Sequence, residues 1–217
     1  MKNNIYNENI SIPQVLEQIY IAHNYLNKIL FGGVLNKIQI TIASFGNRNK
    51  RKKVTLGHFD SVKHWADNTN EIVLHGIAFN GDCNHILQIL THEMVHQYCF
   101  ENNIKDTETN GRHNKNFKNE AIRFGMTVEK PISKNSGYTT SINSYLEKVY
   151  QELPIDHNII TNFINQNSFK AINTIKKEGL VRGYKYNCKK CSLNFRSKND
   201  MNLICKDCGS DFLKSVY

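Results

Sequence analysis

Apolar residues between positions 11 and 30 recur at three- and four-residue steps, as Val15, Ile19, Ala22, Leu26 and Leu30. This is the period of a helix with one buried face, and Pro13 falls near its start, where proline is tolerated. The pattern predicts an amphipathic helix from Ser11 to Leu30, broken by Gly32 and Gly33. From Lys37 to Ala43 the period drops to two, with Ile38, Ile40 and Ile42 on one side, so a half-buried strand is expected. Val54 to Phe59 and Glu71 to His75 read as two further short strands.

A long helix is predicted from about Asp82, a suitable N-cap, to about Cys99. Its buried stripe would be Ile86, Leu87, Leu90, Met94, Val95 and Tyr98. A polar loop leads to another helix, from about Lys115 to Gly125, that buries Phe117, Ala121 and Phe124. Pro131 to Tyr138 is linker-like, and Ile142 to Leu153 and Ile159 to Ile175 are expected to be helical. Tyr184 to Phe212 is organised by two cysteine pairs. No repeat is present. Strands mixed with helices in this order give an α+β fold class.

Composition adds limits. The chain has 217 residues, 40% of them hydrophobic, which suits one main domain with a small appendage. The amino-terminal residues Met1 to Ile10 lack the apolar core of a secretory signal, and no window approaches a membrane span. A soluble, cytoplasmic protein without a membrane partner is therefore expected. Formal charge is +9, with 28 Lys and Arg against 19 Asp and Glu, which favours a polyanionic partner. The cluster Arg48, Lys50, Arg51, Lys52 and Lys53 reads as a solvated loop that can add a contact to such a partner. Cys83 and Cys99 flank one predicted helix, about 24 Å apart along its axis, too far for a disulfide.

The candidate chemistry begins with His92-Glu93-Met94-Val95-His96, an H-E-x-x-H sequence. Four residues of helix place the two imidazoles on one face, where both reach the same ion. Glu93 projects beside them, positioned to take a proton from water activated by the metal. With nine histidines and eleven glutamates, chance supplies only about 0.02 such matches in a chain of this composition, so a pair of ordinary surface histidines is the weaker explanation. A catalytic zinc takes a third protein ligand and keeps one position open. Downstream, His113 and His157 are candidates. Upstream stand His23, His58, His64, His75 and His85; on prior grounds His23, His58, His64, His75 and His157 are ordinary polar or core-edge histidines. His85 shares a helix face with His92 but lies about 10.5 Å along the axis, too far to bind the same ion.

The order of these features carries a resemblance. An amphipathic helix, Phe31-Gly32-Gly33, a strand, Leu56-Gly57, another strand, the H-E-M-V-H helix and a histidine four before a phenylalanine resemble the SprT-like metalloproteases. That family includes proteases acting on DNA–protein crosslinks. The resemblance implies His113 as third ligand, placed four before Phe117, and a small zincin-like core of mixed sheet packed on helices. It also implies that the Glu71 to His75 strand forms the cleft edge where substrate pairs. The chain departs from the family in having Arg112 and Asn114, rather than glycines, around His113.

Cys188-x-x-Cys191 and Cys205-x-x-Cys208 have the spacing of two knuckles closing a four-sulfur zinc site. Such a site has no open position, so its role is structural. Around it, from Lys176 to Tyr217, ten Lys and Arg face four acids. Arg182, Lys185, Lys189, Lys190, Arg196 and Lys198, interleaved with Tyr184 and Tyr186, suit phosphates and stacked bases of single-stranded nucleic acid. The competing explanation is a solvated basic surface with its aromatics packed inward. The expected organisation is a protease domain over 1–130, a linker and helical connector over 131–180 and a zinc ribbon over 181–217. Two Zn²⁺ per chain and a monomeric state are expected. The function implied is a zinc endopeptidase acting on DNA-bound or DNA-crosslinked proteins. Its rivals are a nucleic-acid-independent metallopeptidase and a non-catalytic zinc protein that binds nucleic acid.

Overall fold

The structure is a computed structural model that describes residues 9–43, 55–63, 65–130, 136–166 and 183–216. The chain is mixed α and β and divides into two compact units, Met1–Ala171 and Ile172–Tyr217. Among the described residues no helix is long and apolar enough to cross a membrane. The Arg48 to Lys53 cluster, Arg182, His64 and the expected helical stretch 167–175 lie outside the described residues.

The first unit opens with α1, Ile12–Leu30. Gln14 fixes its start by accepting from the Ser11 backbone N–H at 2.8 Å. Val15, Ile19, Ala22 and Leu26 are fully buried along one stripe. The helix stops because Gly32 and Gly33 take φ of 67° and 75°, and the Gly33 N–H then reaches the Asn27 carbonyl at 2.8 Å. Asn27 also bridges forward, exchanging two hydrogen bonds of 3.1 Å with the Leu35 backbone, and so aims the chain into the sheet.

That sheet has three strands: β1 (Ile38–Ala43), β2 (Gly57–Asp60) and β3 (Asn70–His75), in the order β1-β3-β2. β1 runs parallel to β3, and β2 runs antiparallel to it. The Glu71 to His75 strand is therefore the middle strand, paired on both sides, and cannot be the cleft edge. Its Ile72 and Leu74 are fully buried, as suits a central position. The outer strand beside the metal-motif helix is β2, which begins at Gly57, after Thr55 and Leu56; Val54, the expected start, lies outside the described residues.

A short 3-10 turn, Gly76–Asn80, leads to α2, Cys83–Glu101. Asp82 caps it by accepting from the His85 N–H at 2.8 Å. Ile86, Leu87, Leu90, Met94 and Val95 are fully buried, and Thr91, Glu93 and Gln97 are buried too, so α2 is the central helix of the unit. After α3 (Lys115–Arg123), two antiparallel strands that the sequence pattern does not single out, β4 (Thr127–Glu129) and β5 (Thr139–Ser141), stand on either side of the linker-like stretch Pro131 to Tyr138. Helices α4 (Ser144–Gln151) and α5 (His157–Gln166) follow. They pack into the same core rather than forming a separate connector: Leu146, Tyr150, Ile160 and Phe163 join its hydrophobic cluster. Tyr150 also meets Thr91 of α2, hydroxyl to hydroxyl, at 2.8 Å.

In the second unit, β6 (Tyr184–Cys188) lies between β7 (Asn194–Ser197) and β8 (Phe212–Val216), all antiparallel. Among the described residues of this unit few side chains are buried; Tyr186, Cys188 and Cys205 are the hydrophobic ones.

Candidate metal centres

α2 presents His92 and His96 on one face, one turn apart. His113 arrives from the loop before α3, where an antiparallel bridge with Thr107 and a 2.9 Å bond from the Asn114 N–H to the Asp106 carbonyl fold the chain back. Asn114 then caps α3, accepting from the N–H groups of Asn116 and Phe117 at 2.8 and 3.2 Å. One nitrogen from each of the three histidines lies within 4.8 Å of the others, and the Nε2 atoms of His96 and His113 are 3.1 Å apart. Two ligands of a tetrahedral zinc, each about 2.0–2.1 Å from it, sit about 3.3 Å apart, so the separation fits a shared ion.

The other ring nitrogens are held from behind. His92 Nδ1 meets Thr140 Oγ1 at 2.7 Å, His96 Nδ1 meets Asp106 Oδ2, and His113 Nδ1 donates to the Tyr138 carbonyl at 2.7 Å. Anchoring of Nδ1 fixes each ring and leaves Nε2 as the ligating atom, the arrangement that metal-binding histidines use. Burial works to raise the Asp106 carboxyl, but the hydrogen bond and charge of His96, helped by His113, outweigh it and hold the group below its ordinary value. Phe117, fully buried, forms an aromatic floor: His113 stacks on it at 4.0 Å between centroids and His96 at 4.6 Å. Gly137 allows the Tyr138 segment to approach, since a Cβ there would lie 2.6 Å from the His113 backbone nitrogen.

Glu93 is 5% exposed and packs where α2 meets β2. Burial pushes its carboxyl up to about 7, against the attraction of His96 and a hydrogen bond with the Phe59 backbone. Gly57 makes this approach possible. A Cβ on it would sit 2.8 Å from Ile89 Cγ2 and 3.4 Å from Glu93 Cγ.

Other histidines sit elsewhere. His157 has its Nδ1 3.5 Å from the Cys83 sulfur, His23 Nε2 meets Gln97 Oε1 at 3.2 Å, and His58 and His75 meet each other at 3.1 Å. The residues that sequence reasoning missed are Asp106, Thr140 and Tyr138. A carboxylate behind a ligating histidine was to be expected on chemical grounds, but nothing in the spacing singled out Asp106.

In the second unit the four cysteine sulfurs also lie within 4.8 Å of one another, and Cys191 and Cys205 are 3.7 Å apart. A tetrahedral ion with bonds of about 2.3 Å spaces its sulfurs by about 3.8 Å, so the group fits a closed four-thiolate site. Two like knuckles build it. Cys188 N–H donates to Leu193 O and Ser192 N–H to Cys188 O, at 2.8 and 2.9 Å. Cys205 N–H donates to Ser210 O and Gly209 N–H to Cys205 O, both at 2.8 Å. Each knuckle turns through a left-handed residue, Ser192 at φ 58° and Gly209 at φ 61°. The Ser210 hydroxyl and knuckle N–H groups lower the Cys188 thiol to about 6, whereas Cys191 and the other thiols push Cys208 up to about 12. Four such sulfurs ionise together only with a cation among them.

Of the proposed nucleic-acid contacts, Lys185 and Arg196 lie opposite one another across β6 and β7, both exposed. Lys189, Lys190 and Lys198 are exposed as well, and Tyr184 is half-buried, with the Lys214 ammonium 5.5 Å from its ring centre. Tyr186 is a correction. It is 1% exposed, stacks on Phe195 at 5.1 Å and receives the Met201 N–H on its hydroxyl at 2.6 Å. Its ring is core and offers no face to a base.

Fold and site together define an α+β chain with two candidate metal centres of different kinds: three histidines beside a buried glutamate, and four cysteines. No family model, curated protein or solved structure matches the chain.

Proposed function

We propose that the chain is a zinc-dependent endopeptidase with a zincin-like core of the SprT-like type, acting on proteins bound or crosslinked to nucleic acid. The observation that carries the reading is the three-histidine group, each ring anchored through Nδ1, with a buried carboxylate next to it on the same helix. His92, His96 and His113 would hold the ion, and Cys188, Cys191, Cys205 and Cys208 would hold a second, structural one. When bound, zinc at the histidine group supplies a Lewis acid that polarises a peptide carbonyl and makes water a better nucleophile. Glu93 takes the proton of the attacking water and passes it to the leaving amine. Extended substrate would lie along β2, the outer strand, whose Phe59 N–H is turned towards Glu93.

The nucleic-acid part rests on exposed cations, with Lys185 and Arg196 side by side on one sheet face; Tyr184, half-buried, shares the opposite face with Tyr186. Burial of Tyr186 takes away one stacking surface and favours, to that extent, the nucleic-acid-independent peptidase. Cleavage of a protein substrate at low salt, with and without single-stranded DNA, separates the two. The catalytic assignment is tested with Glu93→Gln. That variant should retain two metal ions per chain and lose at least about 10³-fold in kcat. Retained cleavage with full metal content defeats the assignment.

A further inference from the structure

A groove of about 870 Å³ opens where the end of α2 meets the starts of β1 and β3, with Lys37, Lys63, Asn70, Phe100, Glu101 and Lys105 among its walls. It borders the candidate active centre in two ways. Lys105 immediately precedes Asp106, the carboxylate behind His96. Phe100 lies one turn beyond His96 on α2, and its ring is 5.4 Å from that of Phe59, the β2 residue hydrogen bonded to Glu93. A line drawn from Glu93 along β2 therefore enters the groove at Phe100, which keeps 43% of its surface exposed.

Its charges are unequally matched. Lys37 is paired with Asp67 at 2.8 Å. The Glu101 carboxylate is occupied from within, accepting from the Asn36 N–H at 3.1 Å and the Gln97 amide at 2.8 Å. Lys63 and Lys105 are exposed, and among the described residues no carboxylate pairs with either. The walls also carry amides, Asn36, Asn70 and Asn103, which suit peptide groups.

The geometry points to a substrate subsite selective for acidic residues: polypeptide laid along β2 places a pair of Asp or Glu side chains against Lys63 and Lys105. This rests on the endopeptidase reading. A polypeptide suits the groove better than a nucleic-acid strand, because two ammonium groups with a carboxylate between the walls make too short a track for a phosphate chain.

The test is binding, measured by fluorescence anisotropy on full-length Glu93→Gln protein loaded with zinc. A Glu-Glu pair is walked along an otherwise neutral octapeptide, and matched peptides carry Gln-Gln or Lys-Lys. One register of the acidic peptide should bind about 5- to 10-fold tighter than its Gln-Gln counterpart. That preference should vanish in Lys63→Glu/Lys105→Glu and persist in Lys185→Glu/Arg196→Glu, with circular dichroism and metal content unchanged in both. Equal affinity for acidic and amide peptides overturns the subsite. So does loss of the preference in the ribbon variant instead of the groove variant, or a groove variant that weakens only a single-stranded oligonucleotide. Parallel cleavage assays on wild type keep the two readings apart. Acid-selective binding with no cleavage of any peptide removes the endopeptidase and leaves the groove, whereas cleavage blind to acidic residues does the reverse.

Discussion

His23 is buried at 3% exposure against the central helix, where Gln97, the residue after His96, meets its Nε2 at 3.2 Å. Burial lowers its affinity for a proton, outweighing the partial compensation from Gln97, Asn24 and Glu101. The unfolded chain, with an ordinary histidine near 6.5, then takes up a proton that the folded chain refuses. Stability must fall as pH drops below about 6.5 and level off once the folded value is passed. His23→Gln keeps an amide within reach of Gln97 and removes this proton. Urea midpoints at pH 7.5 and 5.5 should show the wild type losing stability faster than the variant, by at most about 1.4 kcal/mol per pH unit. Parallel curves for the two proteins would show that residue 23 binds its proton equally well in the folded and unfolded states, which would sink the burial effect.

Elements decide how close the chemistry can be assembled, and here β2 and α2 are the important pair. Gly57 is the residue that lets them touch. A methyl group at this position meets Ile89 Cγ2 at 2.8 Å and the Val73 carbonyl at 3.1 Å, so helix and strand must separate to admit it. Gly57→Ala should cost about 1–3 kcal/mol in urea denaturation and shift Glu93 away from the histidine group. The second effect would appear as a fall in kcat larger than any change in KM, with metal content preserved. A variant as stable and active as wild type would mean that the approach is looser than described. The sequence revealed α1, α2 and the metal-motif spacing because a helix writes its contacts at three and four residues. It revealed much less about elements whose partners are distant. β4 and β5 have three residues each, too few to write a period, and border the linker-like stretch Pro131 to Tyr138, yet β5 delivers Thr140 to His92. α4 and α5 showed helical periodicity, but periodicity does not say which core a helix joins. Tyr186 was misjudged for a local reason: it alternates with Tyr184 and Cys188 on one face of β6, and the buried Cys188 marks that face as inward.

At the scale of the whole chain, the two units differ in what holds them together. Among the described residues, the hydrophobic cluster of the first draws on α1, the sheet and every later helix through α5, and contains none beyond 166. Among its described residues the second has Tyr186, Cys188 and Cys205 as the buried hydrophobic ones, too little to fold so short a segment without a further constraint. A four-thiolate metal would supply that constraint, and its binding free energy would then be folding free energy. Cys205→Ser should therefore lower metal content by one equivalent and expose the β6 to β8 region to limited proteolysis. The thermal midpoint of the first unit should stay within about 2 °C, since that core has no share in the loss. Cleavage of a short unstructured peptide should continue, because His92, His96, His113 and Glu93 all lie in the first unit. Any stimulation by single-stranded DNA should disappear with the sheet that places Lys185 beside Arg196. If peptide cleavage and DNA stimulation fall together, the ribbon is needed to build the active centre itself; if stimulation survives, the cations that recognise nucleic acid lie outside it.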